Sequence, residues 1–127
     1  MNNRLENIGM QIDAGKDVKD RLRADLRVAM KGRRAFEAKV IRVLVAAIDN
    51  AEAPPVQAGQ TALIQHRFHT GSAEVERLLL SESDVRQVLL IEIDERERAA
   101  MELERLNMTE RAKALRAEVL FARRYLE

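Results

Sequence analysis

The chain has 127 residues, a formal net charge of +1 and no cysteine; 46% of its residues are hydrophobic, 34% charged and only 3% aromatic. That length buries one core, and the absence of Cys excludes a disulfide scaffold or a thiolate metal site. Abundant Ala, Leu, Glu and Arg with only 5 Gly and 2 Pro predict an all-α fold, because these types lose little rotamer freedom in a helix.

The N-terminal stretch "MNNRLENIGMQIDAGKD" lacks the apolar core of a signal peptide, and no apolar run approaches the roughly 20 residues of a membrane span. A soluble, cytoplasmic protein without membrane contact is expected. Residues 1–16 read as a flexible extension. Val18, Leu22, Leu26, Ala29 and Met30 fall at helical spacing and predict a first helix from near Asp17 to just before Gly32. Gly32 suits the left-handed residue after a helix, and the cations of "KGRR" suit its unpaired carbonyls. A second helix covers "AFEAKVIRVLVAAIDNAEA". Phe36, Val40, Val43, Leu44, Ala47 and Ile48 form its stripe, with Phe36 facing the core and Ile41 and Val45 on a second flank. Pro54 and Pro55 end it.

Residues 54–72 read as a long loop with one helical turn over Ala62–His66, followed by a short helix over Ala73–Leu79. Leu80, Ser81, Asp84 and Val85 match a capping box with a hydrophobic staple. A long helix should follow to about Leu106, roughly 26 residues and about 39 Å. "LNMTE" interrupts it. Thr109 then caps a last helix striped by Ala112, Leu115, Val119, Ala122 and Leu126. The expected architecture is an all-α bundle of four to five helices, the last two forming a long antiparallel hairpin packed on the first two.

Charge is unevenly spread: residues 16–42 carry a net of +6, residues 43–110 a net of −7, and residues 111–127 a net of +3. Two readings follow. The blocks attract one another across the bundle, or they steer an anionic partner to one face.

Few residues here carry chemistry. Ser72, Ser81 and Ser83 sit in a loop or at helix starts without a glycine-rich elbow, and no glycine-rich loop precedes a helix to cradle phosphate. No catalytic residue and no cofactor are expected. His66 and His69 are spaced to share a metal on one helical turn, with Glu74 as a third ligand. As two histidines in a loop they read more simply as polar loop residues, and no metal is assigned. Glu92, Asp94, Glu95 and Glu97 offer paired acids. Glu92–Arg96 and Asp94–Arg98, however, are acid-first i, i+4 pairs, which read as a salt-bridged surface.

The strongest candidate surface is the basic set Lys31, Arg33, Arg34, Lys39 and Arg42. Arg42 borders the apolar stripe, where a guanidinium can fork onto a phosphate or carboxylate. The set lacks aromatic neighbours, since Phe36 is assigned to the core and Tyr125 lies far off. Recognition by base stacking is therefore not expected, whereas contact with a tRNA backbone or a protein is.

Three stretches carry a resemblance. "RLRADLRVAMKGRRAFEAKVIRVLVAAIDNAE" joins a basic amphipathic helix to an apolar one closing on Asn-Ala-Glu. "LSESDVRQVLLIEIDERERAAMEL" leads a capped start into a long charged helix, and "RAEVLFARRYLE" is close to an ending in Tyr-Leu-Pro. In this order they resemble the YqeY-like proteins of the GatB/YqeY family, related to the tail of the B subunit of the glutamine-dependent tRNA amidotransferase. The resemblance covers about Asp17 to Leu126, interrupted by the 54–72 loop. It implies that residues 17–127 form the family's N-terminal helical domain without the second, C-terminal domain. Glu127 stands where the family has Pro, which leaves open a short member or a truncated one. Residues 1–16 precede the family's usual start. By kinship, the resemblance implies association with carbon–nitrogen ligation using glutamine as amide donor, though not catalysis by this chain alone. The expected function is a non-catalytic accessory or adaptor domain that contacts tRNA or an amidotransferase subunit. The competing expectation is a self-associating structural domain with no RNA contact, motivated by the stripe through Leu126 and the flank of Ile41 and Val45.

Overall fold

Asp13 starts the first helix: its carboxylate accepts the Lys16 amide N–H at 3.0 Å, satisfying one of the unpaired donors of the first turn. The computed structural model describes residues 12–55 and 76–127. Among these it has four α-helices and no strand: α1 (Ala14–Lys31), α2 (Ala35–Glu52), α3 (Glu82–Arg105) and α4 (Thr109–Ala122), with a 3₁₀ turn over Arg123–Leu126. Helix α1 thus begins three residues before Asp17. The expectations for residues 1–11 and for the turn at Ala62–His66 lie outside the described residues, as does the start of the Ala73–Leu79 helix.

No helix covers residues 76–79. Tertiary bonds take over the backbone there. The Leu78 N–H donates to Glu52 O at 2.8 Å, and Leu80 O accepts the Ala14 N–H at 3.0 Å. Helix α2 stops where Pro54 requires, with Ala53 already extended at ψ 135°. The capping box of α3 is fully formed, since Asp84 N–H donates to Ser81 Oγ and Ser81 N–H to Asp84 Oδ2, both at 3.0 Å. Its 24 residues span about 36 Å. The next start differs from expectation. Met108 is the N-cap of α4, Thr109 is already helical, and no side chain caps this end.

Helices α1 and α2, and α3 and α4, are joined by the same backbone device. After α1, Arg33 takes the left-handed conformation at φ 56°, its N–H donates to Met30 O, and the Arg34 N–H reaches back to Ala29 O at 2.8 Å. After α3, Asn107 takes φ 60°, with Asn107 N–H to Glu104 O and Met108 N–H to Leu103 O at 2.8 Å. Both are Schellman closures. Gly32 itself sits at φ −83°, so the left-handed position falls on the residue after it.

The core is built from all four helices and the C-terminal turn. Leu22, Val40, Ile41, Leu44, Ile48 and Leu89 are fully buried, joined by Val85, Ile93, Val119, Phe121 and Tyr125. Each large aliphatic side chain contributes about 1.5–3 kcal/mol relative to exposure. Ile41 is covered within the chain, and Leu126 is packed against the core. Two stripe residues are not. Met30 (56% exposed) and Phe36 (40%) face outward at the α1–α2 corner, because no layer among the described residues covers the end of the helix pair; Ala38 and Ile41 fill the inner positions.

Charged side chains also cross the interior. Lys19 Nζ donates to Glu52 Oε1 at 2.5 Å and to Asp49 Oδ1 at 2.8 Å, tying α1 to the end of α2. Burial lowers the affinity of this ammonium for its proton, but the two carboxylates more than reverse that and hold its pKa above the ordinary lysine value. The absence of a side chain at Gly15 leaves room for Glu52, whose carboxylate a Cβ there would meet. Buried Glu118 on α4 accepts from Arg96 Nε at 2.9 Å and Lys39 Nζ at 3.3 Å, joining α4 to α3 and α2.

Candidate functional site

The α1–α2 corner gathers the basic residues singled out in the sequence, but not all of them. Arg33, Arg34 and Arg42 line one shallow cleft of about 320 Å³, floored by Ala29, Met30, Ala35 and Ala38. Arg33 enters from the left-handed turn, and Arg42 comes from the second turn of α2. The Arg42 guanidinium lies against Met30, donating to its Sδ at 3.7 Å. Lys31 is exposed in the last turn of α1 and does not line the cleft. Lys39 is engaged with Glu118. The structure therefore brings three of the five together.

Among the described residues, no carboxylate forms an ion pair with Arg33 or Arg42, and Arg34 reaches only Glu37, at 3.5 Å. A non-glycine residue in the left-handed region costs roughly 1 kcal/mol. Arg33 occupies it although glycine stands one position earlier, which places a backbone cost at this cleft.

A second cleft, of about 140 Å³, opens on the other side of Arg34. Arg21, Asp25, Val28, Glu37, Phe121, Arg124 and Tyr125 complete its wall. Here the sequence reading needs correction, because Tyr125 is close to the basic corner. Its hydroxyl donates to Asp25 Oδ2 at 2.5 Å. Burial and the Asp25 carboxylate hold its phenol well above the ordinary tyrosine range. The Arg21 guanidinium lies over the Tyr125 ring, 4.6 Å from its centroid, and that of Arg124 over Phe121 at 4.8 Å. Arg21 also donates to Arg124 O at 3.1 Å. Arg21 and Arg124 were not among the candidates. Only the 3₁₀ turn that returns the C-terminal residues to α1 brings them into view.

The remaining described candidates are structural. Ser81 is the cap of α3, and Ser83 lies in that helix's first turn. Glu92–Arg96 and Asp94–Arg98 form the expected pairs at 3.0 and 2.8 Å, with Arg96 bound to Glu118 as well. Ser72, His66, His69 and Glu74 lie outside the described residues, among which no group of three His, Asp or Glu is placed to hold a metal ion. No described helix is long and apolar enough to cross a membrane. A larger groove of about 450 Å³ runs between α1, α3 and the C-terminal turn, with Val18, Val85, Leu89 and Leu126 in its lining. Its charged residues mix Asp17, Glu82 and Glu127 with Arg21 and Arg86, so it favours neither sign of charge.

No family model matches this chain, and neither a curated protein nor a solved structure shows significant similarity to it.

Proposed function

We propose that this chain is a non-catalytic, YqeY-like accessory or adaptor domain linked to tRNA-dependent amidation. It contacts tRNA or an amidotransferase subunit in the cytoplasm through the basic corner of α1 and α2. Carbon–nitrogen ligation with glutamine as donor belongs to the partner. In this reading α3 and α4 form a long antiparallel hairpin that backs the corner and fixes its shape. The observation that carries the reading is the convergence of Arg33, Arg34 and Arg42 on one cleft with almost no counter-charge among the described residues. Guanidiniums so placed fork onto phosphate or carboxylate oxygens and retain most of their charge for a partner.

The test is a titration with bulk tRNA at low and moderate salt, with an Arg33→Glu/Arg34→Glu variant beside the unmodified protein. The proposal expects binding that weakens steeply with salt and is lost in the variant. Absence of binding at low salt removes the tRNA arm and leaves the amidotransferase subunit as partner. Pull-down of that subunit undiminished by the variant removes the second arm.

A second reading, self-association without RNA contact, is favoured by a separate observation. Leu120 (71%), Leu106 (60%) and Met101 (59%) stand exposed on α3, α4 and the corner between them. It expects a dimer or larger species by light scattering, and a monomer at high concentration contradicts it.

A further inference from the structure

The cationic surface does not end at the α1–α2 corner. Arg34 lines both clefts, so the first (Arg33, Arg34, Arg42) and the second (Arg21, Arg34, Arg124) are continuous through one side chain. We propose that these five arginines form one track for the phosphodiester backbone of a nucleic acid, held without regard to base sequence. The inference rests on the anionic-partner reading of the corner, which it lengthens and narrows to one ligand chemistry.

Preorganisation is the first argument. The Arg21 and Arg124 guanidiniums are held over the Tyr125 and Phe121 rings, and Arg21 is further fixed by its bond to Arg124 O. A stacked guanidinium keeps its edges available for forked contacts and loses less freedom on binding than a free one. Charge is the second. The acids of the two clefts, Asp25 and Glu37, are engaged by the Tyr125 hydroxyl and by Arg34. Among the described residues Arg21, Arg33, Arg42 and Arg124 form no ion pair. A row of cations across two clefts matches a chain of regularly repeated single charges better than one compact anion.

Two features choose between polymers. Phe121 and Tyr125 are each only 6% exposed and their rings are covered by arginine, so the second cleft gives bases no platform, and the one exposed ring at the corner, Phe36, cannot stack a succession of bases into a sequence-reading surface. The Arg33 and Arg34 backbone N–H groups are consumed by the helix closure. The described corner offers no sheet edge along which the main chain of an acidic peptide could pair. Side-chain contact with a phosphate backbone is what remains.

The test is fluorescence anisotropy with labelled homopolymeric RNA strands and a short RNA duplex, across a salt series, using Arg124→Gln, Arg21→Gln and the corner double variant. The Arg124 side chain makes only its ring contact, so Arg124→Gln should fold, which circular dichroism melting checks, and it decides the matter if Arg21→Gln does not. Each single variant should flatten the slope of log affinity against log salt by about 0.9 on the duplex, the value of one phosphate contact, while the corner double variant should lose binding. Adenine and uracil strands should bind alike. Unchanged slopes in Arg124→Gln and Arg21→Gln, with binding lost in the corner variant, would end the track at the corner and leave the parent reading standing. No binding of any nucleic acid at low salt overturns the track, and the subunit pull-down then decides the parent reading. A strong preference between the homopolymers overturns base-blind binding. Poly-glutamate competing as well as the duplex at equal charge overturns the choice of phosphodiester.

Discussion

The two helix corners share a backbone and differ in nearly everything attached to it. Both close by the same pair of reverse bonds around one left-handed residue. At the α3–α4 corner that residue is Asn107, a type that tolerates the conformation, and the nearby charges are matched. Arg105 meets Glu102 at 2.9 Å, and Arg116 meets Glu104 at 2.8 Å. At the α1–α2 corner it is Arg33, a type that does not favour it, and its neighbours Arg34 and Arg42 face a cleft almost empty of acid. A turn needed only to reverse the chain would be served by the first solution. The second keeps a guanidinium at a backbone cost, which supports the proposal that this surface makes contacts.

The sharpest break in this comparison comes from the buried charges, which the account treats as part of the fold. Glu52→Ala leaves Lys19 buried with Asp49 alone, and should cost about 3 kcal/mol in chemical denaturation. Next come the corners themselves. Arg33→Gly should stabilise the protein by about 1 kcal/mol while weakening polyanion binding, whereas Asn107→Gly should change stability by only a few tenths of that. Opposite signs for stability and binding at Arg33 are what separate a contact residue from a turn residue. Loss of stability in Arg33→Gly would remove that distinction.

Alkaline pH gives a smaller effect. Tyr125 and Lys19 both have folded-state pKa values above their ordinary ones. Their contribution is complete below the ordinary value, near 10.0 for tyrosine, and is lost as pH rises through the folded-state values. Denaturation midpoints should therefore fall above about pH 10, and less so in Tyr125→Phe. The smallest effect is expected at Glu104→Gln, which removes an exposed pair at the α3–α4 corner and should leave the midpoint unchanged.

What the sequence disclosed was local. Ser81 and Asp84 are three residues apart, so the capping box could be read directly, and the end of α2 follows from Pro54 alone. The left-handed residue was misplaced by one because the closure, not residue preference, sets the register: it falls on the residue after Gly32. Helical periodicity points Met30 and Phe36 inward because it presumes a partner layer along the whole helix, and among the described residues the corner has none. The opposed charge blocks do attract one another, through Lys19–Asp49 and Lys19–Glu52. Much of the pairing, however, is between α3 and α4 and their flanking turn, as in Arg123–Glu97 and Arg96–Glu118, which leaves the corner arginines uncompensated. The arginines on Phe121 and Tyr125 were invisible for another reason. Arg21 and Tyr125 are over a hundred positions apart, and no spacing rule links them.

The most direct test of the central claim compares two charge reversals on one polyanion. Arg33→Glu/Arg34→Glu and Arg116→Glu/Arg123→Glu change net charge equally, the first at the open corner and the second where arginines are already paired with Glu104 and Glu97. RNA binding at low salt should be abolished by the first and only modestly weakened by the second, with both proteins folded. Equal loss in the two would mean that net charge alone drives binding, and the α1–α2 corner would have no special role.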